Sequence, residues 1–219
     1  FGRTDSKDSG QKGLSPEGKS RRSFEGNMFN KARESRIRDK IGGLTLEEKA
    51  KLVAGGTRYA TAALPDREIR SLRIAELAAG VVFDDPDRAS FAPSADIGTV
   101  FPTPAALARS FDEDLVRRVA SQMADECRTR DVEILYAPLL TLKRDPADGR
   151  DSMRLSEDPV LTGKLCAAFV RGMAERGVTV CLGGFGLPGD VRSSFEGAGA
   201  CDPRTLGGVY LRPARVTME

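Results

Sequence analysis

Residues 132–173 read VEILYAPLLTLKRDPADGRDSMRLSEDPVLTGKLCAAFVRGM, and the order of signals within them sets the fold class. Val132 to Tyr136 is a short run of apolar, β-branched and aromatic residues, the composition of a strand. A loop dense in Arg, Asp and Gly follows. Asp158-Pro159 then supplies an N-cap and a first-turn proline, and Leu161, Leu165, Phe169 and Met173 recur along one helical face. Gly177 stops that helix, and Val178 to Leu182 forms the next apolar strand. A strand, a helix and a second strand in this order imply parallel pairing through a right-handed crossover.

The same grammar continues in both directions. Downstream, Asp202-Pro203 repeats the helix-start signal ahead of Leu206, Val209 and Tyr210. Upstream, Leu115, Val116, Val119, Met123 and Cys127 mark an amphipathic helix from Asp112 to about Arg130. Leu72 to Phe83 is an apolar run that reads as a strand or a turn into one, closed by Asp84-Asp85-Pro86-Asp87. Thr45 and Glu48 stand at capping-box spacing before a helix expected to reach Ala54 and to end at Gly55-Gly56. No repeat of the solenoid kind is present.

Residues 1–40 are different in kind. They hold eleven Lys or Arg against six Asp or Glu, so the formal net charge of +2 hides a body at −3. Scattered apolar residues there are too few to repay the entropy of ordering, and the stretch reads as a flexible basic arm preceding a single domain at 41–219. Arg21-Arg22 and the cluster from Arg33 to Lys40 are of the kind that touches nucleic acid or an acidic surface, but a solvated tail is the expected reading. With no groove-reading motif and few aromatic residues for base stacking, nucleic acid is not the expected partner.

Composition narrows the chemistry. No run reaches the roughly 18 to 20 apolar residues needed to cross a bilayer, and no signal peptide is visible, so the expectation is a soluble chain of unassigned compartment. The chain has no histidine, which removes Ser-His and Cys-His pairs and excludes zinc sites of the Cys and His type. No cofactor is expected. Cys127, Cys166 and Cys181 stand among apolar positions and are expected to be small buried hydrophobes. Asp84, Asp85 and Asp87, or Asp145, Asp148 and Asp151, are oxygen-ligand sets for a hard cation, but their spacing matches no calcium loop, and no metal is expected.

Four separated segments resemble the N-terminal (β/α)-barrel domain of family-3 glycoside hydrolases: LTLEEKAKLVAGG at 44–56, FPTPAALARSFDEDLVRRVASQMADECR at 101–128, the stretch quoted first, and DPRTLGGVYLRPAR at 202–215. The most specific part is R-D-P, then G-R, then S-E-D-P-x-L-x-G. The resemblance implies an α/β fold, a partial TIM-type (β/α) barrel with parallel strands, and a sugar held at the C-terminal mouth of those strands. It also implies retaining hydrolysis by two carboxyl groups, with the nucleophile and the acid/base in regions beyond Glu219. The catalytic residues are therefore unassigned.

Several positions depart from the family pattern. A-D-G-P becomes Ala78-Ala79-Gly80-Val81, G-R-N-F-E becomes Gly149-Arg150-Asp151-Ser152-Met153, and K-H-F becomes Gly183-Gly184-Phe185. Arg150 is the retained sugar contact that the resemblance implies. Tyr136, Lys143 and Asp145 are the other candidate substrate-binding residues, although Asp145 and Glu157-Asp158 also suit loop and helix-cap roles. The expectation is a protein of carbohydrate-active descent with little or no hydrolysis by these residues alone, acting as a binding or interaction module, in effect a pseudoenzyme. The alternatives are an active β-glucosidase-type enzyme completed by a missing segment or partner chain, and other small-molecule chemistry in a repurposed pocket. The expected ligand is a saccharide or another small molecule. Three or so parallel strands leave sheet edges open, so a homo-oligomer or a partner chain is expected to cover them.

Overall fold

A computed structural model describes residues 31–57, 59–77, 80–83, 96–146, 149–186 and 201–219. The chain divides into two units, residues 1–50 and 51–219. In the first, helix α1 runs over 31–42 with its side chains exposed, a helix where composition suggested the end of an unstructured arm. Residues 1–30 of the expected arm lie outside the described residues. Helix α2 (Leu46–Ala54) starts as its sequence predicts: Thr45 N–H donates to the Glu48 carboxylate at 2.7 Å, and Glu48 N–H donates to Thr45 Oγ1 at 3.2 Å. It ends at Gly55, whose φ of 84° is glycine's own territory.

The second unit is a mixed sheet covered by helices. Its strands are β1 (Arg73–Leu77), β2 (Val81–Phe83), β3 (Asp96–Ile97), β4 (Val132–Leu139) and β5 (Thr179–Gly183), in the spatial order β3-β2-β1-β4-β5. β1, β4 and β5 are parallel, with Ala75, Leu135 and Val180 in register across the three. Each of the two crossovers moves one place further in the same direction. Among the described residues the sheet stays open, and β5 has a strand neighbour on one side only.

The expectation of parallel strands throughout needs correction on the other side of β1. There β2 pairs antiparallel with β1 and β3 antiparallel with β2. The apolar run 72–83 holds two short antiparallel strands and not one. Gly80 stands immediately before β2, where a Cβ would lie 2.6 Å from the Thr99 carbonyl oxygen, too close for any side chain.

The helices are α3 (Pro104–Ala108), α4 (Glu113–Thr129), α5 (Pro159–Ala174), the single turn α6 (Pro203–Thr205) and α7 (Arg212–Met218). Caps fix their starts: Asp112 accepts from Leu115 N–H at 2.9 Å, and Asp158 accepts from Val160 and Leu161 N–H at 2.7 Å each. Between α6 and α7 the chain winds wider, as a π-type turn over Leu206–Tyr210. Ala75, Leu135 and Ala137 of the sheet meet Val116, Met123 and Cys127 of α4 and Leu165, Phe169 and Met173 of α5 in one apolar core.

Strand alternation then sorts the remaining strand residues. Val180 and Leu182 pack against that core, whereas Thr179 and Cys181 point to the opposite face and are exposed. Cys181 is therefore not the buried hydrophobe expected from its apolar neighbours, while Cys127 and Cys166 are fully buried.

Candidate functional site

The loop between β4 and α5 carries most of the residues singled out above. Its base is a continuation of the sheet. Leu140 N–H donates to the Gly183 carbonyl at 2.8 Å, Lys143 N–H donates to Ser156 at 3.1 Å, and Leu139 forms a parallel bridge with Arg154. Leu142 and Leu155 are buried beneath it, so the loop has a small apolar foundation of its own.

On that foundation Lys143 acts as a clamp. Its ammonium donates to the Asp151 backbone carbonyl at 3.0 Å and forms a close ion pair with Asp151 Oδ2. Both side chains are roughly three-quarters removed from solvent. The charge assistance is worth more here than at an open surface, and it ties the start of the loop to the 3₁₀ turn Asp151–Met153. The second carboxylate oxygen, Asp151 Oδ1, is buried without a hydrogen-bond partner among the described residues. Replacing Lys143 with methionine would leave the whole carboxylate unpaired. It is expected to cost about 1–2 kcal/mol in urea unfolding and to speed amide exchange over residues 150–154. Unchanged exchange there would remove the clamp from the account.

Arg150 stands immediately before that turn and is exposed. Asp145 is also exposed, while Asp148 lies outside the described residues. Arg144, its neighbour in R-D-P, lies with its guanidinium carbon 5.7 Å from the centroid of the Tyr210 ring, a cation–π distance that links this loop to the C-terminal segment. The structure thus gathers Lys143 and Arg150 on one loop, with Lys143 facing inward and Arg150 facing out.

Tyr136 belongs to a different surface. It projects from β4 on the face away from the helices, beside Cys181 in register, and is 42% exposed. A Cβ at Gly183 would lie 2.8 Å from the Tyr136 hydroxyl and 2.6 Å from Leu139 Cδ2. One at Gly184, which has a φ of 63°, would lie 2.8 Å from Thr141 Cγ2. Gly183 and Gly184, where the resemblance implies a cation and an imidazole, are thus backed by Tyr136, Leu139 and Thr141.

One polar residue escaped the sequence reading. Arg154 is only 3% exposed, and its Nε donates to Thr141 Oγ1 at 3.2 Å. The sequence carries no signal for this, because an arginine in a polar loop is ordinarily read as a solvated one. Asp158 takes the cap role open to it in sequence, and Glu157 beside it is exposed. Ala78 and Ala79, and the acidic set Asp84, Asp85 and Asp87, lie outside the described residues. No cluster of three His, Cys, Asp or Glu placed to hold a metal occurs among the described residues, and no described helix is long and apolar enough to cross a membrane.

Known proteins resemble this chain in sequence and in fold. The chain is 34% identical over 180 residues to thermostable beta-glucosidase B of Acetivibrio thermocellus, covering 80% of this chain and 23% of that protein. It is 31% identical over 179 residues to an exo-alpha-(1->6)-L-arabinopyranosidase of Bifidobacterium longum, covering 78% and 23%. Among solved structures, beta-glucosidase 3B from Thermotoga neapolitana in complex with glucose superposes with a TM-score of 0.67 at 26% identity, over 83% of this chain and 27% of that one. The chain therefore spans about a fifth to a quarter of the length of the relatives it matches. Residues 92–206 match the glycosyl hydrolase family 3 N terminal domain, and the chain belongs to that family.

Proposed function

We propose that these residues form a saccharide-binding portion of a family-3 barrel mouth, with Arg150 as the sugar contact and little or no hydrolysis of their own. The observation that carries the reading is the clamped loop. Lys143 and Asp151 neutralise one another below the surface, and Arg150 is held outward on the loop they pin. A guanidinium fork held in this way suits bidentate hydrogen bonding to vicinal hydroxyls. Retaining cleavage needs two carboxyl groups about 5–5.5 Å apart across the glycosidic bond. Asp151 is committed to Lys143 and Asp158 to its helix cap, which supports binding over turnover.

The test uses the purified chain. A panel of nitrophenyl β-glycosides is expected to give no nitrophenol release above background. Calorimetric titration with glucose is expected to give weak saturable binding that falls about tenfold or more in Arg150→Ala, the loss of a charge-assisted hydrogen bond. Turnover that disappears in Arg150→Ala would overturn the proposal. The side of β5 that has no strand neighbour among the described residues supports a second copy or partner chain pairing there. A light-scattering mass of a single chain from the same preparation would argue against self-association.

A further inference from the structure

A second site presents itself away from Arg150. Phe111 joins α3 to α4 with a φ of 54°, a left-handed conformation that a bulky residue rarely adopts. The turn imposes it. Phe111 N–H donates to the Ala108 carbonyl at the end of α3, and the next residue, Asp112, is the N-cap of α4. Glycine would hold this backbone without strain, and burial does not explain the ring, which is 72% exposed. The strain is borne for a side chain that packs on almost nothing within the described residues.

What the ring does face is an open cleft of about 210 Å³. Ala108, Leu155 and Leu161 contribute to its apolar lining, while Arg109 and Glu157 supply one donor fork and one carboxylate acceptor. Neither the Arg109 side chain nor the Glu157 side chain has a hydrogen-bond or ion-pair partner among the described residues. Lys143 also lines the cleft, but its ammonium is engaged by Asp151, and Arg150 is not part of the lining.

The surface is amphiphilic in a particular way, with an apolar wall, an aromatic ring at the side, and a donor and an acceptor available for hydroxyl groups. A pyranose has the matching shape: C–H bonds on its faces and hydroxyls around its edge. We propose that this cleft is an accessory saccharide subsite that holds one pyranose ring, with its C–H face on Phe111 and its hydroxyls between Arg109 and Glu157. The inference takes its ligand class from the saccharide-binding reading above, but not its location.

The experiment is an amide-resonance titration of the full chain with methyl β-D-glucopyranoside, carried out in the Arg150→Ala variant so that the two sites separate. Residues 105–111 and 155–157 are expected to shift in a saturable way. Phe111→Gly relieves the backbone strain, so its Tm is expected to be equal or higher, while binding weakens by about five- to tenfold through loss of the aromatic surface. Phe111→Tyr keeps the ring and is expected to bind within about twofold of the parent. The subsite is refuted if Phe111→Gly binds as well as the parent, if these residues do not respond in the Arg150→Ala chain, or if phenol saturates the cleft and the glycoside does not. Shifts confined to residues 149–154 of the unmodified chain would refute the subsite and leave the Arg150 reading intact.

Discussion

Replacing Gly172 with alanine is expected to destabilise the chain by about 3 kcal/mol, lowering Tm by roughly 6–12 °C for a domain of this size. Helix propensity predicts the opposite sign, because an interior helical glycine is worse than alanine by about 0.5–1 kcal/mol. Packing decides the matter. Gly172 lies on α5 where that helix crosses α4, and a Cβ there would stand 2.2 Å from the Arg117 carbonyl oxygen and 2.9 Å from Ala120 Cβ. Neither atom is the tip of a movable side chain, so the helices must move apart or one must bend. Separation would also strip contacts from Met123 and Met173 in the common core. Arg117, which bonds both Glu175 oxygens at 3.0 Å, would lose its reach between the helices. Gly177→Ala is the control: its φ of 78° carries conformational strain, but nothing lies within 4 Å of the added Cβ. It is expected to cost about 1 kcal/mol. A Gly172→Ala chain as stable as its parent in urea would mean that α4 and α5 do not approach this closely.

Gly172 also marks the boundary of what the sequence reveals. The signals that were legible are local: Thr45 with Glu48, Asp112, Asp158-Pro159 and Gly177 each act on a backbone within four residues, so a single sequence suffices to read them. Gly172 acts on a carbonyl 55 positions away, and nothing near it in sequence marks the contact. The same distinction explains Cys181. The alternation of β5 was readable, but which face is covered depends on α4 and α5 packing on one side of the sheet only. The run from Leu72 to Phe83 reads as a strand or a turn into one, and its composition does not tell that reading from the two antiparallel strands found there, because both share the same apolar residues. At the candidate site, the family pattern picked out Arg150 and its loop. It could not show that Lys143 turns inward to Asp151, or that Arg154 is buried against Thr141, since both depend on how the loop folds back over Leu142 and Leu155.

The two buried thiols should make the chain labile to alkali. Cys127 on α4 and Cys166 on α5 both lie in the core, and burial pushes each thiol up to about 12 from an ordinary 9.0. For Cys127 the neighbouring Glu126 adds to the effect, and Arg130 opposes it. Below pH 9 the thiols are protonated in both folded and unfolded chains, and the stability they permit is fully present. Between pH 9 and about 12 the unfolded chain releases its thiol protons while the folded chain holds them, so stability falls as pH rises. Each thiol contributes a slope of about 1.4 kcal/mol per pH unit, so the pair removes roughly 3 kcal/mol by pH 10. Lysines and tyrosines titrate nearby, so the informative comparison is with the Cys127→Ala, Cys166→Ala double variant. That variant is expected to start less stable at pH 7, because it opens small cavities, and to lose less between pH 9 and 10. Native alkylation at pH 8 gives an independent reading: iodoacetamide is expected to reach the exposed Cys181 and to spare Cys127 and Cys166 until urea unfolds the chain. If the two unfolding series in reductant ran parallel from pH 9 to 10, the buried thiols would not be the groups that set the alkaline limit, and their place in the core between the two helices would have to be reconsidered.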